Sequence, residues 1–236
     1  MPFLNVQQVL RSMRVYSIEP AKLREMQDPD VGSTLRSDGS NAASVLAELA
    51  RDSPEDVRRI CEILASIVPG TKRVRTVKYG KQLSLRFTQE WGEQKRLPFE
   101  AFSMSDGTLR ALGLLLAVYQ RPTPSLIVIE EPEATIHPGA LGAILDVLRV
   151  ASRKMQVIVT THSPDVLDAK WIEAKNLRVV NWDKGSTQVA GISEMSKKAL
   201  QDHLMGAGEL LRSNALIAPE LFEDIQQLSL FEDVPG

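Results

Sequence analysis

The sequence predicts an α/β fold with a mostly parallel sheet core and flanking helices, and three observations carry that expectation. Residues 126–129 and 156–160 are short, almost wholly apolar runs, the pattern of strands buried on both faces. Helical patterns alternate with them, 105–119 before the first and 139–151 between the two, and such alternation builds parallel sheets covered on both sides. Two further strand candidates, 176–181 and 187–192, are expected to extend the sheet.

Toward the N-terminus the order is different. The first forty residues read as irregular, with "QDPDVGSTLRSDGSN" supplying turn chemistry. Helices are predicted over 42–50 and 54–68, the second opened by Ser53 as cap and Pro54 at its first position, and ended by Pro69 and Gly70. "KRVRTVKYGKQLSLRF" reads as two strands around Tyr79 and Gly80, a hairpin carrying Lys72, Arg73, Arg75, Lys78 and Lys81. Such a basic run reads first as a solvated edge strand protected from aggregation, and second as a contact for phosphates. The expected organisation is an N-terminal helical and hairpin insertion over 1–101, a core over 102–205 and a tail over 206–236.

Composition restricts the function classes. The 236 residues are 43% apolar and 25% charged with a net charge of −2, so any nucleic-acid contact must be local rather than a property of the whole surface. No apolar run approaches a membrane span and the N-terminus has no signal-peptide pattern; a cytoplasmic protein without membrane contact is expected. The single cysteine, Cys61, shares a helical stripe with Val57, Ile60 and Leu64, which predicts a buried, inert thiol.

The chemistry gathers where the apolar strands end. "SLIVIEEPEATIHPGAL" runs from strand into two adjacent carboxylates, Glu130 and Glu131, which places them at the carboxyl edge of the sheet, where open α/β folds bind ligands. The next strand ends "VIVTTHSP" and delivers His162 to the same edge, a candidate sensor or hydrogen-bond donor. Upstream, Ser105, Asp106, Gly107 and Thr108 form a small turn into a long apolar helix, whose N-terminus presents unpaired N–H groups and the positive dipole end.

In this order "SMSDGTLR", "LIVIEEPEATIHP" and "VTTHSP" resemble the signature motif, the Walker B strand with its D-loop, and the switch histidine of ABC-class ATPases, above all the RecF-like and overcoming-lysogenization-defect-like kind. The resemblance covers about residues 102–167 and narrows the expected fold to a partial ABC-ATPase head. It implies ATP as substrate and Mg2+ as cofactor. By it, Glu130 holds the magnesium ion through a water, Glu131 is the general base, and His162 contacts the γ-phosphate. Thr135, Ile136 and His137 become the D-loop that communicates across a dimer. Ser105, Asp106, Gly107 and Thr108 become the signature that caps a nucleotide held by the opposite subunit. One departure bears on the metal: the family usually has Asp where Glu130 stands, and the longer side chain fits a hydrated ion better than tight octahedral contact.

The sequence contains no GxxxxGK[ST] phosphate loop. The expectation is therefore a chain equivalent to the carboxyl-terminal part of a longer protein, whether truncated, started at an internal Met, or split from a first lobe made separately. It should hydrolyse ATP only when a Walker A lobe is supplied by a longer protein or a partner chain. The resemblance also implies a homodimer or a Walker A-bearing partner, a role in DNA repair or in defence against phage and other foreign DNA, and a separate Toprim-type nuclease. The alternative is a catalytically incomplete docking module that uses the ATPase scaffold and the tail. In that tail Gln227, Leu228, Ser229, Leu230 and Phe231 resemble the pentapeptide that binds bacterial sliding clamps, against the simpler reading of an amphipathic segment packing on its own domain.

Overall fold

In the computed structural model, which describes residues 2–31, 34–91, 95–183 and 185–219, the parallel sheet has three strands. They are β1 (Met13–Tyr16), β5 (Leu126–Glu130) and β6 (Gln156–Thr160), in the order β1-β5-β6 with β5 central. Register pairs Tyr16 with Ile129 and Glu130 with Thr160, so all three carboxyl ends reach the same edge. The stretch expected to be irregular thus contributes a sheet strand. It also holds two helices, α1 (Pro2–Arg11) and α2 (Pro20–Arg24). β1 is only four residues long with charged Arg14 inside it, too short for alternation to declare it; its pairing with β5 makes it a strand.

Helices α3 (Ala42–Asp52) and α4 (Pro54–Ile67) lie close to the predicted ranges, and Ser53 occupies the N-cap of α4, though its side chain makes no capping bond. A second sheet is wholly antiparallel: β2 (Thr71–Tyr79), β3 (Gln82–Trp91) and β4 (Lys95–Glu100). The predicted hairpin is β2–β3. β4 was not anticipated, because Pro98 and its charged neighbours disguise an edge strand, where proline is tolerated. Lys72, Arg73, Arg75, Lys78 and Lys81 are all exposed, and Lys72 pairs with Glu90 at 2.6 Å.

The core forms around α5 (Asp106–Tyr119), apolar on nearly every side and buried from Thr108 through Ala117. Its leucines 109, 112, 115 and 116 belong to one buried cluster with Tyr16, Ile127 and Ile129 of the parallel sheet, Leu46, Ile60 and Leu64 of α3 and α4, Leu85 and Phe87 of β3, and Ile144 and Leu148 of α6 (Pro138–Ala151). Each such side chain contributes about 1.5–3 kcal/mol when fully buried. The buried Gln120 is satisfied: its amide donates to the Tyr16 hydroxyl and, at 2.7 Å, to the Ala117 carbonyl, and its oxygen accepts from the Leu35 N–H at 2.9 Å. Cys61 is half-buried and accepts from the Val74 N–H at 3.4 Å; burial pushes its thiol above the ordinary range, as an inert cysteine requires.

Among the described residues, only one face of the parallel sheet packs into this core. On the other, Met13, Val15 and Ile158 are exposed, Val15 to 52% and Ile158 to 42%. The expectation of a sheet covered on both faces is therefore corrected. In α1, which leads into β1, Val6, Val9 and Leu10 are exposed as well.

The chain divides into two compact units, Met1–Val166 and Leu167–Gly236. The second holds a two-stranded antiparallel hairpin, β7 (Val179–Asp183) with β8 (Ser186–Ala190), and the helices α7 (Glu194–Gln201) and α8 (Ala207–Arg212) around Leu177, Ile192 and Ala207. The strands expected to extend the parallel sheet pair instead with each other: a connection of two residues permits a hairpin but no parallel crossover. Gln227, Leu228, Ser229, Leu230 and Phe231 lie outside the described residues. Among the described residues no helix is long and apolar enough to cross a membrane.

Candidate functional site

A cleft of about 380 Å³ opens at the carboxyl edge of the parallel sheet, lined by Ser17, Arg110, Glu130, Glu131, Ala134 and Thr160. Ser17 follows β1, Glu130 ends β5 and Thr160 ends β6, so three strand tips form its floor. Glu130 and Glu131 are both exposed there. The backbone turns sharply at this point: Glu131 has φ 43°, in the left-handed region that costs a non-glycine residue about 1 kcal/mol or more. The turn is braced. The Glu131 N–H donates to the Thr160 carbonyl and the Ala134 N–H donates back to the Glu131 carbonyl, both at 2.9 Å.

Arg110 reaches the same turn from α5. Its guanidinium is nearly buried and donates to the carbonyls of Glu130 and Glu131, each at 3.0 Å, and to that of Ile18 at 2.8 Å. Burial holds its pKa below the usual arginine range, and the nearby charges of Glu131 and Glu133 oppose that shift. Sequence reading had no signal for this role, since an arginine in an apolar helix declares nothing about what it faces.

Glu133, the third acid of "EEPE", also escaped the sequence reading. It accepts a short hydrogen bond from the Thr161 hydroxyl, and that oxygen accepts in turn from the Ser163 N–H at 2.9 Å. The turn after β5 is thus tied to the loop after β6 that bears His162, which is itself exposed. The repeat of Glu at the second position after Glu131 was the available clue.

The segments expected to be the signature and the D-loop meet within the chain. Ser105 is the N-cap of α5, accepting from the Thr108 N–H at 3.2 Å, and its hydroxyl shares a 2.8 Å hydrogen bond with that of Thr108, which is buried. Asp106 is exposed and forms an ion pair with Arg24 of α2. A Cβ on Gly107 would stand 2.6 Å from the Thr135 carbonyl oxygen, so only glycine allows this approach. Thr135 is left-handed at φ 63°, Ile136 is buried, and His137 caps α6 by accepting the Gly139 N–H at 3.1 Å.

Among the described residues no group of three or more His, Cys, Asp or Glu could hold a metal ion by itself. That donor set suits magnesium only in its usual manner with nucleotides, one or two carboxylates and several waters, the remaining ligands being phosphate oxygens. Glu130, exposed at the cleft, can serve as that carboxylate.

Solved structures with a similar chain path are head domains of SMC ATPases. One, from work on ATP-driven dimerization and DNA-stimulated activation of SMC ATPases, is 18% identical with a TM-score of 0.47, over 67% of this chain and 96% of that one. The Pyrococcus furiosus Smc head with an extended coiled coil, bound to the C-terminal domain of ScpA, is 17% identical with a TM-score of 0.46, over 67% and 40%. The Thermotoga maritima SMC head is 16% identical with a TM-score of 0.41, over 62% and 51%. This chain thus spans less than two thirds of the length of the latter two. No curated protein sequence matches it. Residues 11–168 match the family model described as "AAA domain, putative AbiEii toxin, Type IV TA system", a span holding the cleft, the turn from Ser105 to Thr108 and His162, and the chain belongs to that family, with an ATPase core of the AAA/ABC type.

Proposed function

We propose that the cleft at the sheet edge is the hydrolytic half of an ATP site. The observation that carries this reading is the acid pair on its braced, left-handed turn, held against the signature helix by Arg110 and Gly107. Glu131 would take a proton from the attacking water as that water's oxygen bonds the γ-phosphorus and the bond to the β–γ bridging oxygen breaks, giving ADP and phosphate. Bound magnesium would supply charge neutralisation for the phosphates, with Glu130 orienting its hydration shell. His162 would donate to the γ-phosphate, and Ser105, Asp106, Gly107 and Thr108 would cap a nucleotide on a facing subunit, with Thr135, Ile136 and His137 communicating across the dimer.

The phosphate loop would come from a further lobe, of the same polypeptide or of a partner. Two features support its docking on the parallel sheet: among the described residues β6 pairs on one side only, and the face with Met13, Val15 and Ile158 is apolar and uncovered. An apolar face next to an open strand edge suits a strand followed by a helix. The biological setting we propose, from the sequence resemblance alone, is DNA repair or defence against foreign DNA, with a Toprim-type nuclease and a sliding clamp as partners, the latter through residues 227–231.

The test is turnover. The purified 236-residue chain should hydrolyse ATP weakly or not at all, and adding a polypeptide with the phosphate-loop lobe should produce magnesium-dependent hydrolysis that Glu131→Gln lowers about a hundredfold or more. Robust turnover by the purified chain, lost on Glu131→Gln, would refute the need for a second lobe; assembled turnover indifferent to Glu131→Gln would refute the site. Tail binding is separable: a peptide of residues 220–236 should bind a bacterial clamp by fluorescence anisotropy, and a Phe231→Ala peptide should not.

A further inference from the structure

We propose that Arg110 is a positioning residue for hydrolysis, a clamp that sets the backbone beneath Glu130 and Glu131 and makes the acid pair follow the signature helix. This rests on the reading of Glu131 as general base.

The geometry is specific. One nitrogen of the guanidinium donates to both Glu130 and Glu131 carbonyls at 3.0 Å while the other donates to Ile18 at 2.8 Å, so a single planar group joins the end of β5 to the segment after β1. Lysine carries a compact ammonium and cannot span the two segments in this way. Gly107 lies one turn earlier on the same helix face and touches the Thr135 carbonyl. The helix is therefore joined to residues 130–135 at two successive positions, and a shift of its N-terminus must carry the turn with it.

Stability alone does not account for an arginine here. Its charge faces backbone carbonyls, its Nε is buried without a partner among the described residues, and desolvation opposes its ionisation. Apolar side chains of similar volume commonly serve a core as well as, or better than, a buried ion. What the charge does provide is a positive centre near Glu131 and Glu133, together with hydrogen bonds to the Glu130 and Glu131 carbonyls that brace Glu131 in its unfavourable backbone conformation. A base so held meets a water without first reorganising.

Amide hydrogen exchange on the full chain decides the matter. In Arg110→Lys and Arg110→Gln, the amides of Glu131 and Ala134 should exchange about tenfold faster or more, while those of residues 112–116 in α5 stay within about twofold of the parent protein. Unchanged exchange at Glu131 and Ala134, or equal acceleration throughout α5 and β5, overturns the clamp. If neither variant folds, the unmodified protein still answers: nitrogen-15 spectra of the Arg110 guanidinium should show slow rotation about its Nε–Cζ bond, and free rotation overturns the proposal. In the assembly with the phosphate-loop polypeptide, Arg110→Lys should lower kcat about ten- to a hundredfold with KM for ATP within about twofold, whereas a change confined to KM overturns the positioning role. Glu131→Gln run in parallel separates the two readings: if it leaves turnover intact the general-base assignment fails, and exchange at Glu131 and Ala134 then judges the clamp by itself.

Discussion

Glu131 and Gly107 bear in opposite directions on the stability of the turn after β5. Glu131 sits at φ 43°, so glycine in its place would remove backbone strain. After allowance for glycine's own entropic cost, we expect Glu131→Gly to raise unfolding stability by about 1 kcal/mol while abolishing assembled hydrolysis. Urea unfolding checks the first part, and a destabilised variant would show that the turn is not strained. Gly107→Ala should do the opposite, because its methyl group would stand 2.6 Å from a backbone oxygen that cannot rotate away. A loss of about 1–3 kcal/mol is expected, with the shift of amide resonances concentrated at Thr135 and Ile136.

At the level of elements, α5 and the parallel sheet carry competing demands. Gly113 lies inside α5, where alanine would ordinarily gain about 1 kcal/mol of helix propensity. A Cβ there would meet the buried Ile18 side chain at 2.5 Å. Overpacking should win, and Gly113→Ala is predicted to lower the midpoint of thermal unfolding despite the better helix former. β6 offers the contrasting case. Ile158 is 42% exposed on the uncovered face, so Ile158→Lys should change the stability of this chain by no more than about 0.5 kcal/mol. It should nevertheless prevent association with the phosphate-loop lobe, measurable by titration calorimetry. Equal binding by both proteins would place that lobe elsewhere.

For the molecule as a whole, burial sets an alkaline limit. Burial raises the pKa of Tyr16, Tyr119 and Cys61 in the folded state, the hydrogen bond from Gln120 opposing it at Tyr16 and that from Arg59 at Tyr119. The unfolded chain releases these protons first, near pH 8.5–10 for free groups of these types, about where stability begins to fall. The contribution is complete below that range and is lost as pH rises through the folded-state values. Tyr16→Phe should flatten this decline and lower neutral stability by about 1 kcal/mol, since Gln120 loses a partner; an unchanged alkaline slope in denaturant titrations would contradict it. The strands at 126–130 and 156–160, the helices around them and the acid pair were all legible in the sequence, because apolar runs and turn residues act locally. The same local character determined that Glu130, Glu131 and His162 would stand at one sheet edge. Tertiary structure alone decided that Met13–Tyr16 would pair with β5 and that, among the described residues, one sheet face would stay bare. It also turned Arg110 toward the carbonyls beneath the acids. Those outcomes depend on partners distant in the chain, and no residue's own propensity records which partner it will meet.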